Sequence, residues 1–274
     1  MGTARWMSRH GPPPDEPPPS TPLERTFSQT LASGYHRLSR PWHTVLATGL
    51  MGGLEVGTGV LALLYTLHVT GSHLLAGLAF SIGFLALLLG QSELFTENFL
   101  VPVTAVATRL ASLGALLRLW GFTLVMNLLG GWVVTWLIIR AFPGLHRVAA
   151  RSGNHFAELG VSLSSFCLAV LAGSAITLMT WMQLGADSEF GRIIAAIAVG
   201  FLISGTQLFH AVLDSLLMFA ALHTRLATFG YLDWAIQLGW AALGNLVGGI
   251  GMVTGLRLVQ VRPLRHRLSQ APPR

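Results

Sequence analysis

Six long apolar runs alternate with short polar intervals along this chain, near residues 44–68, 73–104, 117–139, 160–184, 193–222 and 234–257. Each can cross a hydrocarbon core of ~30 Å, which takes ~20 residues of helix. The second and fifth runs are longer than a crossing needs and carry polar residues part-way, so they predict broken helices. In the second lies Ser92-Glu93-Leu94-Phe95-Thr96-Glu97-Asn98, and in the fifth Gln207-Leu208-Phe209-His210. The runs that follow share a core, Asn127-Leu128-Leu129-Gly130-Gly131 and Asn245-Leu246-Val247-Gly248-Gly249. Thr96 and His210 are 114 residues apart and the two asparagines 118, so the chain reads as two halves, about 44–139 and 160–257. Three spans per half is an odd number. The second half therefore enters the membrane inverted, which is the pattern of a transport protein whose breaks mark the permeation path.

Composition agrees, with 52% hydrophobic and 10% charged residues, against ~25% charge in a typical soluble domain. The net charge of +6 does not point to nucleic acid, because the arginines sit between and beyond the apolar runs. All 17 basic residues are arginine. Thirteen of them (the N-terminal tail, Arg109, Arg118, Arg192 and the C-terminal tail) fall on one side of a six-span arrangement, and Arg140, Arg147, Arg151 and Arg225 on the other. By the positive-inside rule both termini are cytoplasmic. Residues 1–40 form a cytoplasmic Pro/Arg-rich tail, Pro12 to Pro19 at its heart, with a lead-in interfacial helix on which Leu23, Phe27, Leu31 and Tyr35 recur at spacing four. Residues 41–258 make a six-span transport domain, and 259–274 a basic cytoplasmic tail. Trp42, Trp120, Trp136, Trp181 and Trp234 fall near run ends, where aromatic belts belong.

Two carboxylates, an amide and two hydroxyls between Ser92 and Asn98 are costly in lipid, at ~2.5–3.5 kcal/mol for a charge at a helix centre. Such backbone reads as a non-helical loop in which Leu94 and Phe95 narrow a pore and Thr96 offers a hydroxyl. His210 and Asp214 stand four residues apart, on one face of a helix and within hydrogen-bonding reach. A histidine beside such a break is placed to exchange protons near neutrality. Glu55 is a further intramembrane acid, open to a proton relay or to pairing. Asn127 and Asn245 with their Gly-Gly pairs suit close packing and hydrogen bonding across helices, and Asn245 could steady the histidine. There is no P-loop, no GxSxG and no zinc spacing. The chain reads as no enzyme, with no catalytic residues, no metal and no cofactor.

Gly90-Gln91-Ser92-Glu93-Leu94-Phe95-Thr96, the Asn-x-x-Gly-Gly helices and the histidine of the fifth run resemble the formate/nitrite transporter family over residues 42–258. That resemblance implies an all-α membrane protein with six transmembrane helices, an aquaporin-like inverted repeat broken in its second and fifth helices. It implies a homopentamer in the bacterial inner (plasma) membrane, with a pore in each protomer for small monovalent weak-acid anions such as formate, nitrite or hydrosulfide, in company with a proton. Leu94, Phe95, Thr96, Phe201 and Phe209 would form the pore constriction, and His210, Asn245 and Asp214 its centre. Departures exist. Four residues separate Ser204-Gly205 from His210 where two are usual, and Asp214 stands where asparagine is common. The family's vestibule lysine has no counterpart; Glu158 falls near its position, with Arg151 and His155 as neighbouring substitutes. These features resemble poorly characterised inner-membrane members. A neutral small-solute channel, with anions repelled by Glu93, Glu97, Asp214 and Glu158, is the second reading, and a non-conducting membrane scaffold or sensor the third.

Overall fold

The computed structural model describes residues 21–261 and is almost entirely helical. The proline-rich tract and the basic C-terminal tail lie outside the described residues. Helix α1 (Pro22–Ser39) starts at a capping box, in which Thr21 Oγ1 accepts from Glu24 N and Glu24 answers at Thr21 N. Its buried stripe is Thr26, Thr30, Gly34 and Leu38 with Phe27, while Leu23, Leu31 and Tyr35 stay half-exposed. Small residues face the protein because Gly34 lies against the Val101 carbonyl and the Ala105 methyl, where a larger side chain has no room.

The first apolar run is α2 (Trp42–Thr70). The second begins as α3 (His73–Gly90), leaves the helix at Gln91–Leu94, makes a 3-10 turn over Phe95–Phe99 and closes as the short α4 (Val101–Ala107). Next come α5 (Leu113–Ala141), a peripheral α6 (His146–Glu158) and α7 (Leu163–Gly185). The fifth run divides into α8 (Glu189–Gly205) and α9 (Ala211–Thr224). The last runs from α10 (Tyr231–Leu246) through a π-helical stretch (Val247–Thr254) into α11 (Gly255–Gln260). Five of these helices are long and apolar enough to cross a membrane, whereas the sequence pattern suggested six. The difference lies in the fifth run, where neither of its two pieces reaches crossing length alone.

Helix α2 packs on α3 and α5, α3 crosses α8, and α9 fills the space against α5 and α6. Every one of α9's residues from Ala211 to Ala221 is buried. The α3–α8 crossing is close, with Gly77 against the Gly205 backbone and Ser81 Oγ donating to the Ile197 carbonyl at 3.0 Å. Outward faces carry exposed Leu74, Leu78, Ile82 and Leu89 on α3, and Val125, Leu129 and Trp136 on α5. Apolar exposure on this scale matches a bilayer as solvent.

Candidate functional site

Two non-helical loops meet at the centre, and two asparagines hold them there. Asn127 Oδ1 accepts from the Phe95 amide at 2.9 Å, while its Nδ2 donates to the carbonyls of Glu93 at 2.9 Å and Gly49 at 2.7 Å. Asn245 repeats the pattern: Oδ1 accepts from Ala211 N at 3.0 Å, and Nδ2 donates to Phe209 O at 2.9 Å and Ala169 O at 2.8 Å. Each asparagine thus pairs one amide and one carbonyl that the break in the helix leaves open, and ties them to a carbonyl of a neighbouring helix, Gly49 of α2 or Ala169 of α7. Asn245 bonds the residues on both sides of His210, so it steadies the histidine through the backbone.

These bonds set a register that the sequence motifs missed by two residues. Pairing Leu94-Phe95-Thr96 with Leu208-Phe209-His210 uses an offset of 114. The asparagine clamps instead match Glu93 with Phe209 and Phe95 with Ala211, an offset of 116. Gln91 and Gln207 are then equivalent, and both adopt the left-handed region, with φ of 54° and 53°. Leu94 and His210 are equivalent too, each an extended residue that caps the next helical piece.

His210 is therefore a helix cap and not a helical residue. Its Nδ1 accepts from Leu213 N at 3.1 Å, and its backbone N–H donates to Asp214 Oδ2 at 2.6 Å. Asp214 meets the histidine through that backbone amide, where the spacing of four suggested a side-chain pair. Because Nδ1 is occupied as an acceptor, the neutral ring carries its proton on Nε2. That Nε2 lies 2.8 Å from Thr96 Oγ1, so the ring donates and the hydroxyl accepts.

Leu94, Thr96, Phe209 and His210 are each at most 1% exposed. Phe95 packs edge-on against Phe99, and both rings meet Trp120. Trp120 donates to the Asn98 carbonyl at 3.0 Å, a structural duty beyond that of a belt residue. Phe209 stacks on Phe156 of α6 with centroids 6.1 Å apart. Phe156 went unnoticed in sequence because its helix is polar and shows no crossing-length run. Phe201 is half-buried, its ring beside Gly205, with no contact to Phe95 or Phe209 among the described aromatic pairs.

A cavity of 540 Å³ lies on one side of the meeting point, lined by Ser92, Glu93, Glu97, Gln91, Arg192, the α1 residues His36 and Arg37, and Arg40, which caps the end of α1. Glu93 is 1% exposed and accepts from Arg40 Nη1 at 2.8 Å, with Arg37 Nε at 3.9 Å. Arg37 also donates to Asn98 Oδ1 at 2.9 Å. Sequence reading used these arginines only as topology signals. Glu55 Oε1 accepts from Ser92 Oγ at 3.0 Å, tying α2 to the first loop. On the other side a small cavity of 20 Å³ is lined by Asp214, Ser204, Gln207, His73 and Phe156. Glu158 is exposed and borders a separate 480 Å³ depression with Arg147, Arg151 and His155. Burial, followed by the nearby His73, lowers the His155 pKa, so Arg147 and Arg151 are the standing positive charges of that depression at neutral pH.

The family model described as formate/nitrite transporter matches residues 24–259 of this chain. The chain belongs to the formate/nitrite transporter family. It is 26% identical to Inner membrane protein YfdC of Escherichia coli over 241 residues, covering 84% of this chain and 76% of that one. It is 23% identical to Formate channel BtFdhC of Bacillus thuringiensis, covering 84% and 92%. Among solved structures, an FNT family ion channel aligns with a TM-score of 0.69 at 20% identity, over 82% of this chain and 94% of that chain. A pentameric formate channel with formate bound aligns with a TM-score of 0.67 at 19% identity, over 81% and 97%. At such identities these two structures speak for the shared fold of the formate/nitrite transporter family.

Proposed function

We propose that the chain is a six-span inverted repeat that conducts small monovalent weak-acid anions, of the formate, nitrite or hydrosulfide type, through the meeting point of its two loops. The observation that carries this reading is the buried Nε2–H of His210, aimed at Thr96 Oγ1 between two cavities. A bare anion in an apolar constriction faces a desolvation cost of tens of kcal/mol at the Born limit. A buried donor already in place offsets part of that cost. When an anion arrives, Nε2–H turns from Thr96 to it, and Thr96 Oγ1 offers its own hydroxyl proton. Leu94, Phe95 and Phe209 exclude the hydration shell, and Phe201 flanks the approach along α8. Protonating His210 at Nδ1 would set two N–H groups against each other at Leu213, so the ring serves as a hydrogen-bond donor in place of a standing charge.

Anion passage is also favoured on the α1 side, where Arg37 and Arg40 neutralise Glu93 and Arg192 borders the same cavity. That removes Glu93 from the four acids on which the neutral-solute reading relied to repel anions. The assembly is a homopentamer in the inner membrane, by analogy with the pentameric formate channel and with YfdC, and the arginine bias of the sequence supports cytoplasmic termini. The non-conducting scaffold keeps one supporting observation, since side chains fill the space between the two cavities. The test is flux in proteoliposomes with formate, nitrite, hydrosulfide and a neutral solute. Wild type should pass the anions, and His210→Phe should abolish or re-specify that flux while the assembly persists. Wild-type flux in His210→Phe would remove the histidine from the mechanism, and neutral-solute flux alone would hand the site to the second reading.

A further inference from the structure

Asp214 sits in the first turn of α9 at 1% exposure, and its two oxygens have different fates. Oδ2 accepts from His210 N, whereas Oδ1 has no donor among the described residues. Ser204, 7% exposed near the end of α8, has an equally unpartnered Oγ. Both residues line the 20 Å³ cavity beside the pore centre, together with His73 and Gln207. A buried carboxylate oxygen is not left bare without cost, and a polar cavity of this size holds one water with two or more partners. The described ion pairs both go to Glu93, so no described arginine neutralises Asp214. Of the titratable groups on neighbouring elements, only His73 of α3 lines this cavity; His155 of α6, Arg140 of α5, Asp233 of α10, His68 and Glu55 of α2 and Glu97 of the 3-10 turn do not, and neither does His223 of α9 itself.

We propose that this cavity is a proton-binding site: one ordered water donates to Asp214 Oδ1 and Ser204 Oγ, and the Asp214 carboxylate takes up and releases the proton that accompanies each anion. The inference rests on the anion-channel reading. A hydronium at the His73 mouth passes its proton to the ordered water, which breaks one of its own O–H bonds as an O–H bond forms at Oδ1. Release reverses these steps, and no electrons change owner. Protonated Oδ1 becomes a donor to Ser204 Oγ or to the water, while Oδ2 goes on accepting from His210 N. The histidine cap therefore survives in both protonation states, whereas protonation of His210 itself would break the bond from Leu213.

The experiment follows labelled formate and an internal pH dye together in proteoliposomes of the full chain, for wild type, Asp214→Asn and Ser204→Ala. Infrared difference spectra across a pH step are recorded on the same proteins. Wild type should move protons with formate and show a protonated-carboxyl band. Asp214→Asn, whose amide oxygen can still accept from His210 N, should move formate more slowly, with proton uptake down to the leak of protein-free liposomes and the carboxyl band gone. Ser204→Ala should shift that band and slow the proton relative to formate, which keeps the test intact if Asp214→Asn fails to assemble. An unchanged proton-to-formate ratio in Asp214→Asn overturns the inference, as does sodium replacing the proton in wild type. Absence of any anion flux in wild type sinks the channel reading instead, and the infrared band alone then decides whether Asp214 holds a proton.

Discussion

At the scale of single residues, Asn127 and Asn245 are what let backbone leave the helix inside a membrane protein. Each offers one acceptor and two donors, matched to one amide and two carbonyls. Asn245→Ala removes three bonds, leaving the Ala211 amide and the Phe209 carbonyl without this partner and the Ala169 carbonyl with its helical bond alone. At ~1 kcal/mol net per bond, the expected loss is about 3 kcal/mol, read as a lower unfolding temperature in detergent together with lost flux. Asn127→Ala should cost about as much, since its bonds are equivalent, and a much smaller effect there would mean that the first loop is held by other contacts. Glycines separate in the same way. A Cβ at Gly173 would run into the Asn245 backbone, whereas one at Gly251 meets nothing within 4 Å. Gly173→Ala is expected to abolish assembly on size exclusion and Gly251→Ala to leave it intact.

At the scale of elements, α1 acts as a strap across the larger cavity. Its Arg37 and the capping Arg40 end on Glu93, the residue whose carbonyl Asn127 holds. Removing both arginines leaves a buried carboxylate uncompensated, a change worth about 3–5 kcal/mol when one partner of a buried pair is lost. Hydrogen exchange should then show α1 unprotected, and Glu93→Gln should restore part of the protection by removing the orphaned charge. Unchanged exchange in the double variant would mean that Gly34 packing alone holds the strap. The π-helical stretch is a second element-level feature. From Asn127 to Thr135 is eight residues and from Asn245 to Thr254 nine, and the extra residue brings Thr254 Oγ1 onto the Phe99 carbonyl at 2.8 Å. The glycines at 248, 249 and 251 weaken an ordinary helix there, but they do not say where an extra residue is inserted.

For the whole molecule, the exposed apolar faces of α3 and α5 must be covered by lipid or by neighbouring protomers. Native mass spectrometry in detergent is expected to give five copies of the 29.4 kDa chain. A monomer that still conducts formate would show the pore to be complete within one protomer and the pentamer to be dispensable for flux. The protomer already contains both loops, both clamps and both cavities, so flux should follow the number of folded protomers.

The sequence by itself determined the membrane class and the polar residues that interrupt its apolar runs, because bilayer thickness sets run length and buried polar groups in an apolar run stand out. It marked Thr96 and His210 114 residues apart, and the fold joins them by a hydrogen bond. Only the tertiary structure decided which atoms meet. The two-residue change of register, the capping role of His210, the Phe156 stack and the pairing of Glu93 with α1 all depend on long-range backbone bonds and on side chains from distant elements. Periodicity reports which face of a helix is apolar. It carries no information on where a broken helix places its unpaired amides, and those amides fix the geometry of this site.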